Sequence, residues 1–265
     1  MINAIHQSTL NTAFRCGEQF RRRYMEGEVI PPGIAAGRGT GVHGANEVNL
    51  KQKITSGIDL PINDLKDAAR DAFVNAFRNG IYLARDDRPK KKTILNEGLN
   101  DTLRLTELYR DKVAPDIQPV AVERKFNVVI PGIPLPLAGR MDYEKRARVG
   151  DLKSATKSWP EGRINEEIQP IFYSYVHEHE EGIRPEFIYH ILVALKKETK
   201  LQTQTKTATD ADYRGLMARC AAFCQMVQAG VFPPANPSDW WCGEKWCGYY
   251  QTCPYVGNSL PKKEI

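Results

Sequence analysis

Two short acidic stretches, Gly139-Arg140-Met141-Asp142 and Gly150-Asp151-Leu152-Lys153, constrain the fold of this chain more than any other feature. Val128, Val129 and Ile130 form an apolar run that Pro131, Gly132, Pro134 and Pro136 then break, as a hairpin turn requires. Leu137 to Tyr143 is the next predicted strand. The basic loop Glu144 to Arg148 leads into a third, Val149 to Ser154. Side chains alternate along a strand, so Asp151 and Lys153 share a face, and pairing of the two strands sets Asp142 beside Asp151. Two carboxylates held together repel, and a hard divalent cation relieves that repulsion. A lysine next to the cation can orient or deprotonate a water, and the set suits metal-assisted phosphodiester hydrolysis. An Asp-x-Lys triplet by itself is commonly a solvated strand face, so the weight falls on what the rest of the chain supplies.

The 265 residues, 42% of them hydrophobic, suffice for one sizeable globular domain. A net charge of +5 permits a polyanionic partner without requiring one. No apolar run reaches the length of a membrane span, and Met1 to Leu10 lacks the apolar centre of a signal peptide. The expected location is the cytoplasm. In that compartment six cysteines do not suggest a disulfide framework. Cys242, Cys247 and Cys253 cluster near the end, as in a soft-metal site, whereas Cys220 and Cys224 fall on a predicted helix as core residues.

Along the chain, Ser8 to Tyr24 predicts a capped, basic helix, ended by Pro31-Pro32-Gly33. Gly37 to His43 reads as a glycine-rich turn into a helix starting near Val42. It lacks the Lys-Ser/Thr ending of a phosphate loop. Residues 50–115 show helical apolar spacing, with a polar link from Arg85 to Thr93, and predict a helical insertion or arch. Val120 to Glu123 opens the sheet. A helix follows from about Glu166 to Glu180, its start drawn to Ile168 or Gln169 by Pro170. Phe187 to Leu195 is apolar enough for a central strand, Thr203 to Thr209 is polar and β-prone, and Asp210 to Ala229 predicts a last helix.

In this order the motifs resemble the PD-(D/E)XK nuclease superfamily, in its RecB-like exonuclease branch. The resemblance runs through the opening helix with its Cys, Phe and Tyr, the glycines before His43, and Gly139 to Asp142. It continues through Asp151-Leu152-Lys153, Gln169 with Tyr173, and the terminal cysteines. It implies an α/β, restriction-endonuclease-like core with a mixed central sheet flanked by helices, spanning 1–265 as one nuclease domain. Residues 50–115 would be a helical insertion roofing the site, and 236–256 a cysteine-rich metal-cluster segment paired with Cys16. Asp142, Asp151, the Leu152 carbonyl and His43 would hold Mg²⁺ or Mn²⁺, the imidazole suiting Mn²⁺ at least as well. Lys153 would position the attacking water, and Gln169 and Tyr173 would touch DNA or steady Lys153. Glu123 is a possible further acid, or a solvated strand residue.

The resemblance also implies that Cys16, Cys242, Cys247 and Cys253 hold a 4Fe–4S cluster, with a structural zinc as the alternative. Arg15, Arg22 and Arg38 would contact DNA phosphates, together with Arg21, Arg23 and Lys90 to Lys92. The expected activity is a metal-dependent DNase. It would be an exonuclease acting on single strands or DNA ends in recombination, repair or DNA processing. Two alternatives share the fold: a DNA-binding module without catalysis, and an exonuclease of CRISPR spacer acquisition. Protein partners and oligomeric state leave no mark in the sequence.

Overall fold

A computed structural model describes residues 2–256, so residue 1 and residues 257–265 of the expected single domain lie outside the described residues. Helix α1 (Gln7–Arg15) stops at Cys16, whose backbone is extended, and resumes as the short α2 (Gly17–Phe20) and a π turn, Arg21–Met25. The continuous helix expected over Ser8 to Tyr24 is therefore broken at its cysteine. Three long helices follow: α3 (Ile34–Ser56), α4 (Ile62–Ala76) and α5 (Lys91–Lys112). Strands β1 (Ala121–Val128), β2 (Leu137–Lys145) and β3 (Arg148–Ala155) form an antiparallel meander. Helix α6 (Ile168–Glu181) crosses over to β4 (Glu186–Ala194), which runs parallel to β3. Strand β5 (Thr199–Thr207) closes the edge antiparallel, and α7 (Asp210–Ala229) leads to the cysteine segment. The five strands lie in sequence order, giving a mixed sheet flanked by helices.

Strand β4 explains the layering. Phe187, Tyr189, Ile191 and Val193 belong to one core, with Leu10 and Phe20 from the first helices, Phe172 and Val176 from α6, and Phe223 from α7. Ile188, Leu192 and Ala194 belong to the other, with Val42, Leu50, Leu65, Leu105 and Tyr109 from α3, α4 and α5. A strand buried on both faces carries apolar side chains in both registers, which is why its sequence is continuously apolar. The helices of 50–115 are thus a full layer against the sheet. They share a core with Tyr143 and Leu152, and the segment expected as a helical insertion or arch packs as a layer against the sheet.

The glycine-rich stretch departs from expectation. It is not a turn: α3 starts at Ile34 and runs unbroken for 23 residues. A Cβ on Gly41 would stand 2.5 Å from Thr102 Cγ2 and 2.9 Å from the Ala69 carbonyl oxygen, and one on Gly44 2.6 Å from Ala72 Cβ. The glycines let α3 approach α4 and α5 closely, and tertiary contact overrides their low helix propensity. The basic loop between β2 and β3 also tightens. Lys145 pairs with Arg148, leaving two residues in the turn. Among the described residues no helix is long and apolar enough to cross a membrane.

Candidate active site

Three elements converge on the middle of β2. The β2–β3 ladder runs through Lys145↔Arg148 and Glu144↔Val149 to Tyr143↔Gly150, and there it ends. Continued by one step it would set Asp142 opposite Asp151. Instead the strands part, and the Asp142 carboxylate occupies the fork, accepting the Leu152 N–H at 3.1 Å. Strand β1 has a matching break. The pairs Val122↔Tyr143 and Arg124↔Met141 flank an unpaired Glu123, whose φ of +53° is the one positive value at a non-glycine among the described residues. The pleat loses its alternation here, because Met141 and Tyr143, two apart, lie in different cores. A left-handed glutamate costs on the order of 1–3 kcal/mol, and such strain clusters where side chains must be aimed.

The break aims Glu123 and Asp142 at His43, on α3. Donor atoms of His43, Glu123 and Asp142 lie within 4.8 Å of one another, the one such trio of His, Cys, Asp or Glu among the described residues. His43 Nδ1 stands 3.1 Å from Asp142 Oδ2, and its Nε2 2.9 Å from the Leu152 carbonyl oxygen. Both ring nitrogens face acceptors, so both carry a proton when no ion is present. Burial works against that charge, but the Asp142 carboxylate outweighs it and lifts His43 to about 9. Burial, then Asp142, pushes Glu123 up to about 7. Burial also opposes ionisation of Asp142, yet His43, Lys153 and the Leu152 N–H keep its carboxyl below the usual range. The carboxylate of Glu123 has a buried oxygen without a hydrogen-bond partner, as does that of Asp151. Carboxylates, a carbonyl and an imidazole, two of the acids incompletely paired, fit a Mg²⁺- or Mn²⁺-type cation.

Asp151 belongs to the adjoining half of the site. Gln169 Nε2 donates to its Oδ1 at 2.5 Å, and Lys153 Nζ lies 2.7 Å from its Oδ2. Lys153 also donates to Gln169 Oε1 at 2.7 Å, and the Tyr189 hydroxyl donates to the same oxygen at 3.2 Å. Burial, then the neighbouring Asp142 charge, raises Asp151 above the usual carboxylate range. The two acids therefore feel each other across the fork although they do not pair in the ladder. Tyr173, one turn on from Gln169, is half-buried: its ring packs against Phe126 and Phe187, while burial and then the Asp151 and Asp142 charges push its hydroxyl up. Two neighbours were not expected. Tyr189 pairs with Asp151 in the β3–β4 register and lies under Lys153, whose Nζ is 5.0 Å from its ring centroid. Arg140, inside the very stretch that marked the site, places its Nε against Glu123. Face alternation along β4 could have found the first; nothing local pairs Arg140 with a strained glutamate on another strand.

The expected phosphate contacts fare unevenly. Arg15 is exposed. Arg22 is committed to Glu28 and Thr252 and lies over the Tyr249 ring, tying the first helices to the cysteine segment. Arg38 is 5% exposed and faces Asp101, so it cannot meet a strand on the surface. The four cysteines share one neighbourhood, not the tight geometry of the acidic trio. Cys247 is pushed up by burial and, more weakly, by the thiols of Cys16, Cys253 and Cys242. Backbone N–H groups of Gln19 and Ala235 point at Cys16 Sγ at 3.5 and 3.4 Å.

A profile of the PD-(D/E)XK nuclease superfamily matches residues 5–254. No curated protein sequence matches the chain. Among solved structures, a provisionally assigned exonuclease from Eubacterium rectale superposes with a TM-score of 0.59 at 13% identity. It is matched over 99% of this chain and 91% of that one. At that identity the likeness speaks for the fold alone. The structure of SSO0001 is looser, with a TM-score of 0.44 at 12% identity over 97% of this chain and 88% of that one.

Proposed function

The chain belongs to the PD-(D/E)XK nuclease superfamily, and from that premise we propose that it is a metal-dependent deoxyribonuclease of the RecB-like branch. In this reading it is an exonuclease working on single strands or DNA ends, in recombination, repair or DNA processing. The observation that carries the proposal is the convergence of His43, Glu123 and Asp142 beside the Leu152 carbonyl, with Asp151, Lys153 and Gln169 adjoining. His43, Glu123, Asp142 and the Leu152 carbonyl, with Asp151 adjoining, would hold Mg²⁺ or Mn²⁺, which when bound supplies charge neutralisation at the phosphodiester and a more acidic water. His43 gives up a proton on taking that role. Lys153, fixed by Asp151 and Gln169, is placed to hold a water and to face the charge that grows on the phosphate. Gln169 and Tyr189 keep the ammonium from swinging away. The complete set of acids and lysine speaks against the DNA-binding module without catalysis.

The experiment is hydrolysis of end-labelled single- and double-stranded DNA with Mg²⁺ or Mn²⁺. Lys153→Ala should lower kcat by on the order of 100-fold, and Asp142→Ala should abolish turnover. Equal activity in these variants and the wild type would sink the assignment. Release of mononucleotides rather than internal fragments separates exonuclease from endonuclease.

The same reading gives Cys16, Cys242, Cys247 and Cys253 a 4Fe–4S cluster that staples the two ends of the chain. Its support is the shared neighbourhood of the four thiols and the N–H groups aimed at Cys16. Such N–H···S contacts are among the features that tune iron–sulfur centres. Iron and acid-labile sulfide in anaerobically purified protein are the expected finding. One zinc per chain and no colour would replace the cluster with the structural alternative.

A further inference from the structure

The β1–β2 hairpin carries two cations where strand chemistry disfavours them. Lys125 and Arg140 are direct partners in the ladder. Directly opposed residues hold their Cβ atoms roughly 5 Å apart, and like charges so placed destabilise a sheet. Gly139 stacks on Phe126 and Met141 belongs to the same core, so alternation sends Arg140 and Lys125 out of the opposite face, toward α3. Lys125 is exposed, and the Arg140 side chain is 55% exposed. Among the described residues the one acid in contact with Arg140 is Glu123, whose carboxylate oxygen it touches without hydrogen-bond geometry. Glu123 is also the carboxylate that turns into the His43–Asp142 trio. Two opposed, solvent-facing cations therefore lie side by side next to the cage.

We propose that Arg140 and Lys125 form a phosphate-binding site for the DNA backbone, gripping a phosphodiester beside the metal cage. Arg140 exchanges Glu123 for that phosphate when Glu123 turns to the cation. A guanidinium offers a planar fork that matches a phosphate's paired oxygens, whereas Lys125 acts as a point charge. The exchange couples substrate to cation: Arg140 competes for Glu123 in the empty site and is free to bind the strand only in the filled one. The proposal rests on the reading of the chain as a DNA hydrolase, and its test has readouts that do not depend on turnover.

Single-stranded DNA binding is measured with Ca²⁺ as the cation, over a range of salt, for the wild type, Arg140→Ala, Arg140→Lys and Lys125→Ala. Each alanine variant should weaken binding about tenfold, the effect of losing one charge-assisted contact. Each should also lower the log–log salt slope by about 0.7, the value for one phosphate contact on a single strand. Arg140→Lys should keep the slope and recover part of the affinity. Mn²⁺ titrated into Arg140→Ala by calorimetry, without DNA, should bind at least as tightly as in the wild type, because a competitor for Glu123 is gone. Unchanged salt slopes in both alanine variants would overturn the proposal, and hydrolysis by the wild type would then leave the nuclease reading standing. A drop in Mn²⁺ affinity in Arg140→Ala would also overturn it, making Arg140 a support for Glu123. Lowered slopes in a wild-type background that cleaves nothing would uphold the phosphate site while removing the hydrolase. Both side chains are solvent-facing, and melting curves run in parallel check that the variants fold.

Discussion

Glu123 concentrates the energetic cost of this site in one residue. Its backbone is left-handed, its carboxylate is buried among other acids, and Arg140 and His43 are the cations that face it among the described residues. Glu123→Asn keeps a residue that tolerates φ > 0 and removes the charge. The ion-free protein should then gain on the order of 1 kcal/mol in thermal melts with EDTA, while Mn²⁺ affinity falls. A loss of stability would show that the strain is imaginary. His43 near 9 and Glu123 near 7 lead to a second expectation. Filling the cage at pH 7 must expel the His43 proton and about half of one from Glu123, so cation affinity climbs with pH. Calorimetry in buffers of different ionisation enthalpy counts those protons. Release of none would mean that His43 is not a ligand. Sequence reading named His43, Asp142, Asp151, Lys153 and Gln169 because each sits in a motif. It left Glu123 undecided between acid and surface, because a positive φ is set by the partner strand and carries no local signal.

At the scale of the element, α3 shows how one composition supports two conformations. Glycines at 37, 39 and 41 read as a turn because isolated chains turn at glycine. In the fold they are helical, and at Gly37 and Gly41 only a hydrogen side chain fits between α3 and its neighbours. Gly41→Ala should therefore destabilise by about 1–3 kcal/mol despite the better helix former, because the clash includes a backbone carbonyl. Gly215→Ala, in α7 with open space around it, should stabilise by about 1 kcal/mol. Chemical denaturation of the two variants tests the pair, and equal shifts would refute the packing account. Elements with strong local period were legible: β4, α6 from Ile168, and α7 fall within a residue of expectation. The break at Cys16 was not, because its cause is contact with a segment more than 200 residues away, through the Ala235 N–H.

For the molecule as a whole, two buried groups behind the site set its tolerance of acid. His190, bonded to the Tyr143 hydroxyl, is lowered to about 4, by burial first and then by Arg148. Its folded value lies below the ordinary 6.5, so the unfolded chain takes up a proton that the native state refuses. The stability it confers is complete above about 6.5 and is lost as pH falls toward 4. Burial alone would raise Glu144, but Arg124 and His177 hold it to about 2, and its contribution is lost between about 4.5 and 2. Without a bound cation the cage acts in the opposite sense. Glu123 and His43, both raised, lose their contributions as pH rises through about 7 and about 9. The clean measurement is therefore a difference. The gap between wild type and His190→Gln should close by about pH 4 if it is open at pH 7, with EDTA present throughout. A gap independent of pH would clear His190 of the role.

The sequence by itself determined what depends on neighbours a few residues apart: the strand alternation of Asp151 and Lys153, the helix that carries Gln169, and the apolar run of the central strand. Those patterns come from backbone geometry repeated every two or 3.6 residues, and so they can be read from the chain alone. Tertiary structure decided where the ladder of β2 and β3 opens, which way Glu123 turns, why α3 tolerates its glycines, and that 50–115 is a layer of the fold. Each of these is fixed by atoms that approach from elsewhere in the chain, and their shapes and charges are not written near the residues they constrain.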